Sequence, residues 1–486
     1  MLTLTIMVVS SVGLCTGGSL CSASLVVGLA SPGVSMSPSP GGCLFAVVAG
    51  TLCAGCILHA RSYGGPSTEL GRQADVSITV FMLASLALLL TDDVLVLGTA
   101  FELQSVPLVL LLITRGPVHS GSSSAPHPSK GTGQASLLFV AYATFSGVLL
   151  YAGLGGAWFN TGTLSLRTLL ASSVDAGEIP SGVLWCALVA GYVKVAACPT
   201  HLWLTKVHVE ASTVGSTLLA GLGLKVGYYI HLLLWPALRS SVQGMVSSLW
   251  VFLSMGAVGG AVVVCWQVDL KRWVATFSIL HVQLLYMIAV MTLLTPPVQD
   301  SPLLSCTHDG RVSHWSSSMS LCGGMGTSVT YGMLGHSYVA AGLFLLVGTL
   351  ADQRGARTSL DLAGDVVLSP GARILLLVLL LANGAYPGTS LFVSEVVAYM
   401  HAGNVSWWST GLMISVSGVS LAAGVHVWLR TGGRGQSTTS SSRSSLPVLL
   451  LVSPLGVTSV LMGLGLWTPL SLVKEGGLCT SLIGSI

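Results

Sequence analysis

The strongest constraint on this chain is a series of continuous apolar runs, several of them about twenty residues long. The run SSLWVFLSMGAVGGAVVVCW, for example, holds no charge, and only 7% of the 486 residues are charged while 52% are hydrophobic. A soluble domain carries roughly a quarter charged residues. An apolar run of about 20 residues crosses a bilayer as a helix, which satisfies its own backbone hydrogen bonds there. The continuous runs therefore predict an all-α polytopic membrane protein, because a barrel would show alternating segments.

The runs predict about 14 transmembrane helices, the first of which we interpret as a retained helix. The predicted spans are 1–15, 18–36, 43–60, 76–91, 94–114, 135–157, 181–199 continuing irregularly to about 212, 213–235, 245–266, 270–294, 326–350, 371–400, 405–430 and 447–470. With fourteen spans, thirteen Lys and Arg residues fall in loops on one side and four on the side of the termini. Since cytoplasmic or matrix loops carry the excess of positive charge, both termini are predicted to face outward.

Metal and nucleotide sites have weak support in this sequence. Cys53, Cys56 and His59 lie in CAGCILH, but no fourth ligand is evident and the spacing suits a packed helix face. The outer segment 295–327 holds four metal-binding side chains, yet we favour a loosely ordered loop (Cys306, His308, His314 and Cys322). The sequence has no P-loop and no dinucleotide fingerprint. We therefore expect no metal, and nucleotide chemistry is expected to belong to a partner.

A few ionisable residues remain at membrane depth once the loops are assigned. They are Glu102, Lys194, Lys225, His281, His336 and Glu395. A charged group at the bilayer centre costs on the order of 3 kcal/mol, so such groups pair or line a hydrated path. Structural ion pairs between helices are one interpretation. The other is a proton relay, because carboxylates, lysines and histidines in series are suited to proton transfer.

Five segments in order carry a family resemblance. They read FELQSVPLVLLLITR (101–115), KVAACPTHLWLTKVHVEASTVGSTLLAGLGLK (194–225), DLKRWVATFSILH (269–281), MLGHSYVAAGLFLLVGTLADQRGARTS (333–359) and LANGAYPGTSLFVSE (381–395). Together they resemble the chain 4 family of antiporter-like subunits of respiratory complex I, NADH:ubiquinone oxidoreductase. The resemblance covers about 43–430, and no single segment would be specific by itself.

This resemblance implies two inverted five-helix repeats, each with a discontinuous helix that admits water to a dry interior. The implied divisions are N-terminal helices in 1–75, repeats in 76–235 and 245–430, and a C-terminal helix and tail in 447–486. The chain departs from the family at several positions. The expected proline after Lys194 is displaced to Pro199, the basic residue expected after Lys225 is absent with His231 as a candidate substitute, and 295–327 is an insertion.

The family pattern also implies residue roles. Glu102 would modulate Lys194, Lys225 and His281 would connect the repeats with His336 beside them, and Glu395 would end the relay. His201 and Lys206 are predicted to line the inner approach. His208 and Glu210 are either structural contacts near the headgroups or part of proton supply, and the sequence favours neither.

The function that the resemblance implies is proton translocation driven by redox chemistry in other subunits. NAD, FMN, iron–sulfur clusters and ubiquinone would be bound by partners, and this chain would hold no cofactor. The expected partners are complex I membrane-arm subunits, especially chains 2 and 5, with lipids such as cardiolipin and no nucleic acid. The expected location is the mitochondrial inner membrane with both termini on the intermembrane-space side. The alternatives are a subunit of a multisubunit cation/proton antiporter and a non-pumping structural subunit.

Overall fold

The fold of this chain, given by a computed structural model, is helical throughout the part that the structure describes. The described residues are 39–64, 69–114, 130–166, 168–169, 179–241, 243–294, 325–354, 369–430 and 446–464. Within them, nine helices are long and apolar enough to cross a membrane, and four shorter apolar helices accompany them. The predicted all-α polytopic class is confirmed.

Sixteen α-helices and one π-helical segment make up these residues. They are α1 Pro40–Gly64, α2 Glu69–Leu90, α3 Val94–Leu103, α4 Ser105–Thr114, α5 Lys130–Thr161, α6 Ser181–Lys194, α7 Leu202–Glu210, α8 Thr213–Leu218, the π-helix Leu219–Gly223, α9 Leu224–Ser241, α10 Gln243–Trp266, α11 Leu270–Leu294, α12 Met325–Arg354, α13 Pro370–Asn383, α14 Ser390–Val405, α15 Trp407–Arg430 and α16 Leu446–Gly463.

Most predicted spans match one helix or one pair of consecutive helices. The predicted span 371–400 is wrong as a single helix, because α13 ends at Asn383 and α14 begins at Ser390. The predicted spans 1–15 and 18–36 lie outside the described residues. The division into repeats at 76–235 and 245–430 stays a prediction.

The centre of the bundle is formed by α11 and α12. Their membrane-spanning windows, Leu270–Met291 and Ser328–Asp352, are 100% buried inside the protein, whereas the window in α10 is only 33% buried. Exposed aromatic side chains such as Phe159 and Trp266 on the outer helices suit contact with lipid. His281 and His336 belong to the two central helices, and both side chains are completely buried.

Basic side chains lie at one end of the bundle. Leu270, Leu350 and Val427 line one small apolar cavity, so the start of α11 and the ends of α12 and α15 lie together. Lys271 and Arg430 belong to these helix ends. We call this the basic end of the bundle. Which side of the membrane it faces stays the prediction made from the loop charges.

Two helices are interrupted inside the bundle. The first interruption follows Lys194 and lasts until α7 begins at Leu202. The second is the gap between α13 and α14. The helix ends at Lys194, five residues before the displaced proline, Pro199. A residue in the left-handed conformation, Ala196 with φ 60°, ends the helix there before the proline is reached.

Candidate functional site

Lys194 is the last residue of α6, and its ammonium group is held against the join between α3 and α4. Its side chain is buried, and Nζ donates to Ser105 Oγ at 2.7 Å and to the Phe101 carbonyl oxygen at 3.3 Å. The ring of Phe101 lies 4.5 Å from Nζ, measured to its centroid. Uncharged groups therefore bind this cation, together with the face of an aromatic ring.

Glu102 lies next to Phe101 but does not form an ion pair with Lys194. No carboxylate oxygen of Glu102 lies within 4.0 Å of Lys194 Nζ, and the buried Oε1 atom has no hydrogen-bond partner among the described residues. The carboxylate fits against Gly147 of α5, where an added Cβ would lie 1.3 Å from Oε1. Glu102 therefore follows the residue whose carbonyl binds Lys194, and its carboxylate is not bound to the ammonium group.

Lys225 follows the π-helical segment at the centre of the bundle. Its Nζ donates a short hydrogen bond to the Ala220 carbonyl oxygen and lies 2.9 Å from His336 Nδ1. Both side chains are almost completely buried. A π-helical turn alters the local backbone hydrogen-bond ladder, which explains why a carbonyl in this segment is free to accept from the lysine.

His281 and Glu395 are hydrogen-bonded to each other in the second half of the chain. His281 Nδ1 lies 3.2 Å from Glu395 Oε1, and both side chains are buried. The other oxygen, Oε2, accepts from Ser417 Oγ at 2.6 Å and from Tyr399 Oη at 2.7 Å. Three donors stabilise the carboxylate in a position with little access to solvent.

The pair Lys225–His336 and the pair His281–Glu395 lie next to each other through their histidine rings. The ring centroids of His281 and His336 are 6.4 Å apart. The Nε2 atoms of both rings are buried and have no partner among the described residues. Lys225, His336, His281 and Glu395 therefore form one buried series of ionisable side chains.

The two halves of the site approach each other where α6 crosses α9. A Cβ at Gly227 would lie 2.6 Å from the Gly191 carbonyl oxygen, so the two backbones are in direct contact. His231 lies one turn further along α9, next to this contact. Its Nδ1 atom is 2.6 Å from Tyr286 Oη. His231 thus lies beside the crossing that separates Lys194 from Lys225.

The remaining predicted site residues have different surroundings. Lys206 is exposed and His201 is half-buried, with no partner for its Nδ1 among the described residues. His208 is completely buried and its ring stacks on that of Phe344, with the centroids 4.3 Å apart, and its role as a structural contact or in proton supply stays a prediction. Glu210 Oε2 accepts from Thr132 Oγ1 at 3.1 Å and links α7 to α5.

Sequence reasoning missed the hydroxyl groups of the site. Ser105, Ser417 and Tyr399 directly bind Lys194 or Glu395. The only signal was their placement one turn from an ionisable residue or opposite it. That signal is weak, because serine and tyrosine are common in membrane helices for packing reasons.

A metal site is not supported in the described part of the chain. These residues contain no group of three or more His, Cys, Asp or Glu side chains arranged to hold a metal ion. Cys53 and Cys56 are buried in the core. The candidates Cys306, His308, His314 and Cys322 lie outside the described residues. The chemistry that the described side chains can perform is proton exchange between lysine, imidazole and carboxylate groups.

Comparison with known families gives a match that covers most of the chain. The model of the family described as "NADH:quinone oxidoreductase/Mrp antiporter, TM" matches residues 91–296 and 312–422. These ranges contain all six ionisable residues of the buried site.

Curated relatives are similar over about three-fifths of the chain. NADH-ubiquinone oxidoreductase chain 4 of Prototheca wickerhamii is 28% identical over 298 residues, which are 61% of this chain and 51% of the relative. NADH-quinone oxidoreductase subunit M of Rhodobacter capsulatus is 25% identical over 308 residues, 61% of this chain and 54% of that protein. The chain thus spans about half the length of the curated relatives it matches.

Two solved structures share the fold. A chain of respiratory complex I from Thermus thermophilus aligns with a TM-score of 0.69 at 22% identity, covering 91% of this chain and 84% of that chain. A chain of the Mrp complex from Dietzia sp. DQ12-45-1b aligns with a TM-score of 0.74 at 17% identity, covering 98% and 89%. At these identities the likeness shows the fold alone.

Proposed function

Because this chain belongs to the NADH:quinone oxidoreductase/Mrp antiporter transmembrane family, we propose that it translocates protons as a membrane-arm subunit of respiratory NADH:ubiquinone oxidoreductase. The observation that carries the proposal is the buried series Lys225, His336, His281 and Glu395. Four ionisable groups inside a lipid-exposed bundle are expensive to bury. A proton path uses this arrangement, whereas helix packing alone would be served better by apolar side chains.

The proposed path in the second half begins at Lys225. A proton passes from Lys225 Nζ to His336 Nδ1 across 2.9 Å. The proton on Nε2 of His336 leaves, and a bridging water carries it across the gap to His281. His281 Nδ1 then delivers a proton to Glu395 Oε1 across 3.2 Å. Each histidine accepts at one nitrogen and releases from the other, so the rings must return to their first tautomer between cycles.

In the first half, Glu102 is proposed to control Lys194. At an effective dielectric of about 20, charges about 6 Å apart attract by roughly 2.8 kcal/mol. Movement of Glu102 away from Lys194 would weaken the hold on the lysine's proton. The contacts of Lys194 with Ser105 and Phe101 support this switch, because they keep the ammonium in place without fixing it to the carboxylate.

The complex is proposed to supply what this chain lacks. Redox energy would come from partner subunits that bind NAD, FMN, iron–sulfur clusters and ubiquinone, and this chain would hold no cofactor. The proposed neighbours are the antiporter-like chains 2 and 5 and lipids such as cardiolipin. The names of eukaryotic relatives such as the Prototheca wickerhamii protein support the mitochondrial inner membrane as the location.

Substitution of His336 tests the proposed path. His336→Leu removes the ring that accepts from Lys225, and we expect proton uptake to fall by on the order of a hundredfold in membranes with normal amounts of the complex. His426→Leu is the matched control, since His426 is an exposed histidine of α15. Unchanged proton uptake in His336→Leu would contradict the proposed function.

A subunit of a multisubunit cation/proton antiporter is the second candidate. The alignment with the Mrp complex chain, which covers 98% of this chain, favours it at the level of fold. The two candidates differ in what purifies with the chain in mild detergent. NADH dehydrogenase activity in the purified assembly supports the first, and its absence together with cation-dependent proton exchange supports the second.

A further inference from the structure

The two interrupted helices end in the same backbone turn. In the first, Ala196 takes a left-handed conformation with φ 60°, and in the second Ala385 does so with φ 53°. An alanine rarely adopts this conformation, because its Cβ crowds the following carbonyl group. Two residues before each of these alanines lies the last residue of the interrupted helix, Lys194 in α6 and Asn383 in α13.

Hydrogen bonds confirm that the two turns are equivalent. The Ala197 N–H donates to the Tyr192 carbonyl at 3.3 Å, and the Tyr386 N–H donates to the Leu381 carbonyl at 3.0 Å. Both bonds span five residues around the left-handed alanine, which is the pattern of a Schellman cap. Ala197 and Tyr386 are separated along the chain by the same number of residues as Ala196 and Ala385. The same holds for Tyr192 and Leu381.

The turns continue to match after the cap. Thr200 Oγ1 donates to the Ala197 carbonyl at 2.7 Å, and Thr389 Oγ1 donates to the Tyr386 carbonyl at 2.7 Å. Thr200 and Thr389 are also separated along the chain by this number of residues. By this register, Asn383 occupies in the second interrupted helix the position that Lys194 occupies in the first.

Asn383 is completely buried, and its carboxamide has no partner among the described residues. Neither Nδ2 nor Oδ1 forms a hydrogen bond with any described residue. A carboxamide offers two donor hydrogens and an acceptor oxygen, and buried polar side chains almost always use them. An unpartnered carboxamide in this protein interior therefore points to a small polar ligand.

Contacts through Gly424 place Asn383 at about the depth of His281, one of the three partners of Glu395. Gly424 of α15 approaches both Leu380 and Phe277, with contacts of 3.6 to 3.8 Å for an added Cβ. Asn383 is one turn beyond Leu380, and His281 is one turn beyond Phe277. These turns bring Asn383 to the depth of His281.

Contacts between α15 and the second helix break also locate Asn383. A Cβ at Gly384 would lie 3.0 Å from the Leu421 Cα atom. Ser417, one turn before Leu421 on α15, donates to Glu395 at 2.6 Å. Asn383 therefore lies on the side of the Glu395 cluster that is nearer the basic end of the bundle, where α13 begins.

We propose that Asn383 binds water at the second helix break and positions it to exchange protons with the Glu395 cluster. This inference rests on the proposed function. Lysine in the first break takes up and releases a proton itself, whereas an amide cannot, so water must carry the proton in the second break. The proton leaves one water and joins the next or the carboxylate, and Asn383 keeps its own protons throughout.

The pair Asn383→Ala and Asn383→Ser tests this role, because the two variants are nearly equal in size and differ by one hydroxyl. We expect Asn383→Ala to lower proton uptake by the assembled complex on the order of tenfold, and Asn383→Ser to restore most of it, since the hydroxyl again binds water. Complex abundance is measured in the same membranes. Asn160→Ala is the matched control, because Asn160 is an exposed asparagine near the end of α5.

Two comparisons separate the possible outcomes. Equal uptake in the alanine and serine variants would overturn the role of Asn383, whatever their abundance. Glu395→Gln is assayed in parallel. If it pumps normally, the proposed function itself fails. If it fails to pump while Asn383→Ala pumps normally, the relay stands and only the water site at Asn383 is wrong.

Discussion

The contact between Gly147 and Glu102 allows the charge pair to be perturbed without changing any charge. Gly147→Ala would place a methyl group 1.3 Å from Glu102 Oε1 and 2.3 Å from the carboxyl carbon. Since the nearest atom is the far end of a flexible side chain, the carboxylate is expected to move and the helices to stay in place. A normal contact of about 3.4 Å requires a displacement of about 2 Å.

The expected effect follows from Coulomb's law. If the two charges start about 6 Å apart and the displacement carries the carboxylate about 2 Å further from Lys194, the attraction at an effective dielectric of about 20 falls from roughly 2.8 to roughly 2.1 kcal/mol. A difference of about 0.7 kcal/mol changes the proton equilibrium of Lys194 about threefold. Alanine also stabilises a helix interior by up to about 1 kcal/mol relative to glycine, so complex abundance is not expected to fall.

The assay compares proton uptake with complex abundance in membrane vesicles. Gly147→Ala is expected to reduce uptake about threefold at normal abundance. Gly155→Ala is the matched control, because it lies on the same helix and an added Cβ meets no atom within 4 Å. In a Glu102→Gln background, Gly147→Ala should have no further effect. A threefold loss that persists in that background would refute the argument, as would wild-type uptake in the single variant.

The other predictions concern the carboxylate cluster, the outer loop and the topology. Ser417→Ala removes a 2.6 Å hydrogen bond to Glu395, worth about 1.5 kcal/mol or more for a charged acceptor, and should slow proton uptake about tenfold, whereas the exposed Ser415→Ala should not. Cys306 and Cys322 are predicted to form a disulfide if their loop faces an oxidising compartment, and two free thiols in mass spectra of unreduced protein would exclude it. Lys130, Arg354 and Arg434 are predicted to face the matrix and 295–327 the opposite side. Labelling of a cysteine at position 434 from the intermembrane side would overturn the helix count.

Much of the fold could be predicted from hydropathy, because each helix in a bilayer must satisfy its own backbone. The predicted span 270–294 coincides with α11. The span 371–400 is wrong as one helix although Gly384, Pro387 and Gly388 interrupt its pattern locally and the resemblance implies a discontinuous helix in each repeat. The left-handed conformation of Ala385 itself is not indicated by its residue type, because alanine is an ordinary helix-forming residue.

The ionisable residues of the site could be predicted because charge is rare in this chain. His281 and Glu395 stood out in apolar runs, and the structure brings them within 3.2 Å of each other. Asn383 did not stand out, although it is in the segment that carries the resemblance. Its importance comes from its register with Lys194, which only the backbone geometry of the two turns reveals.

The central claim is that the buried charges carry protons and do not merely hold helices together. Its most direct test is proton uptake and complex abundance for Lys194→Ala, Glu102→Gln and the double variant. The relay predicts that all three assemble and that all three lose most of their proton uptake. A structural clasp predicts that each single variant leaves a buried charge unpaired and destabilises the subunit by roughly 3–5 kcal/mol, while the double variant recovers. Recovery of proton uptake in the double variant would contradict the relay.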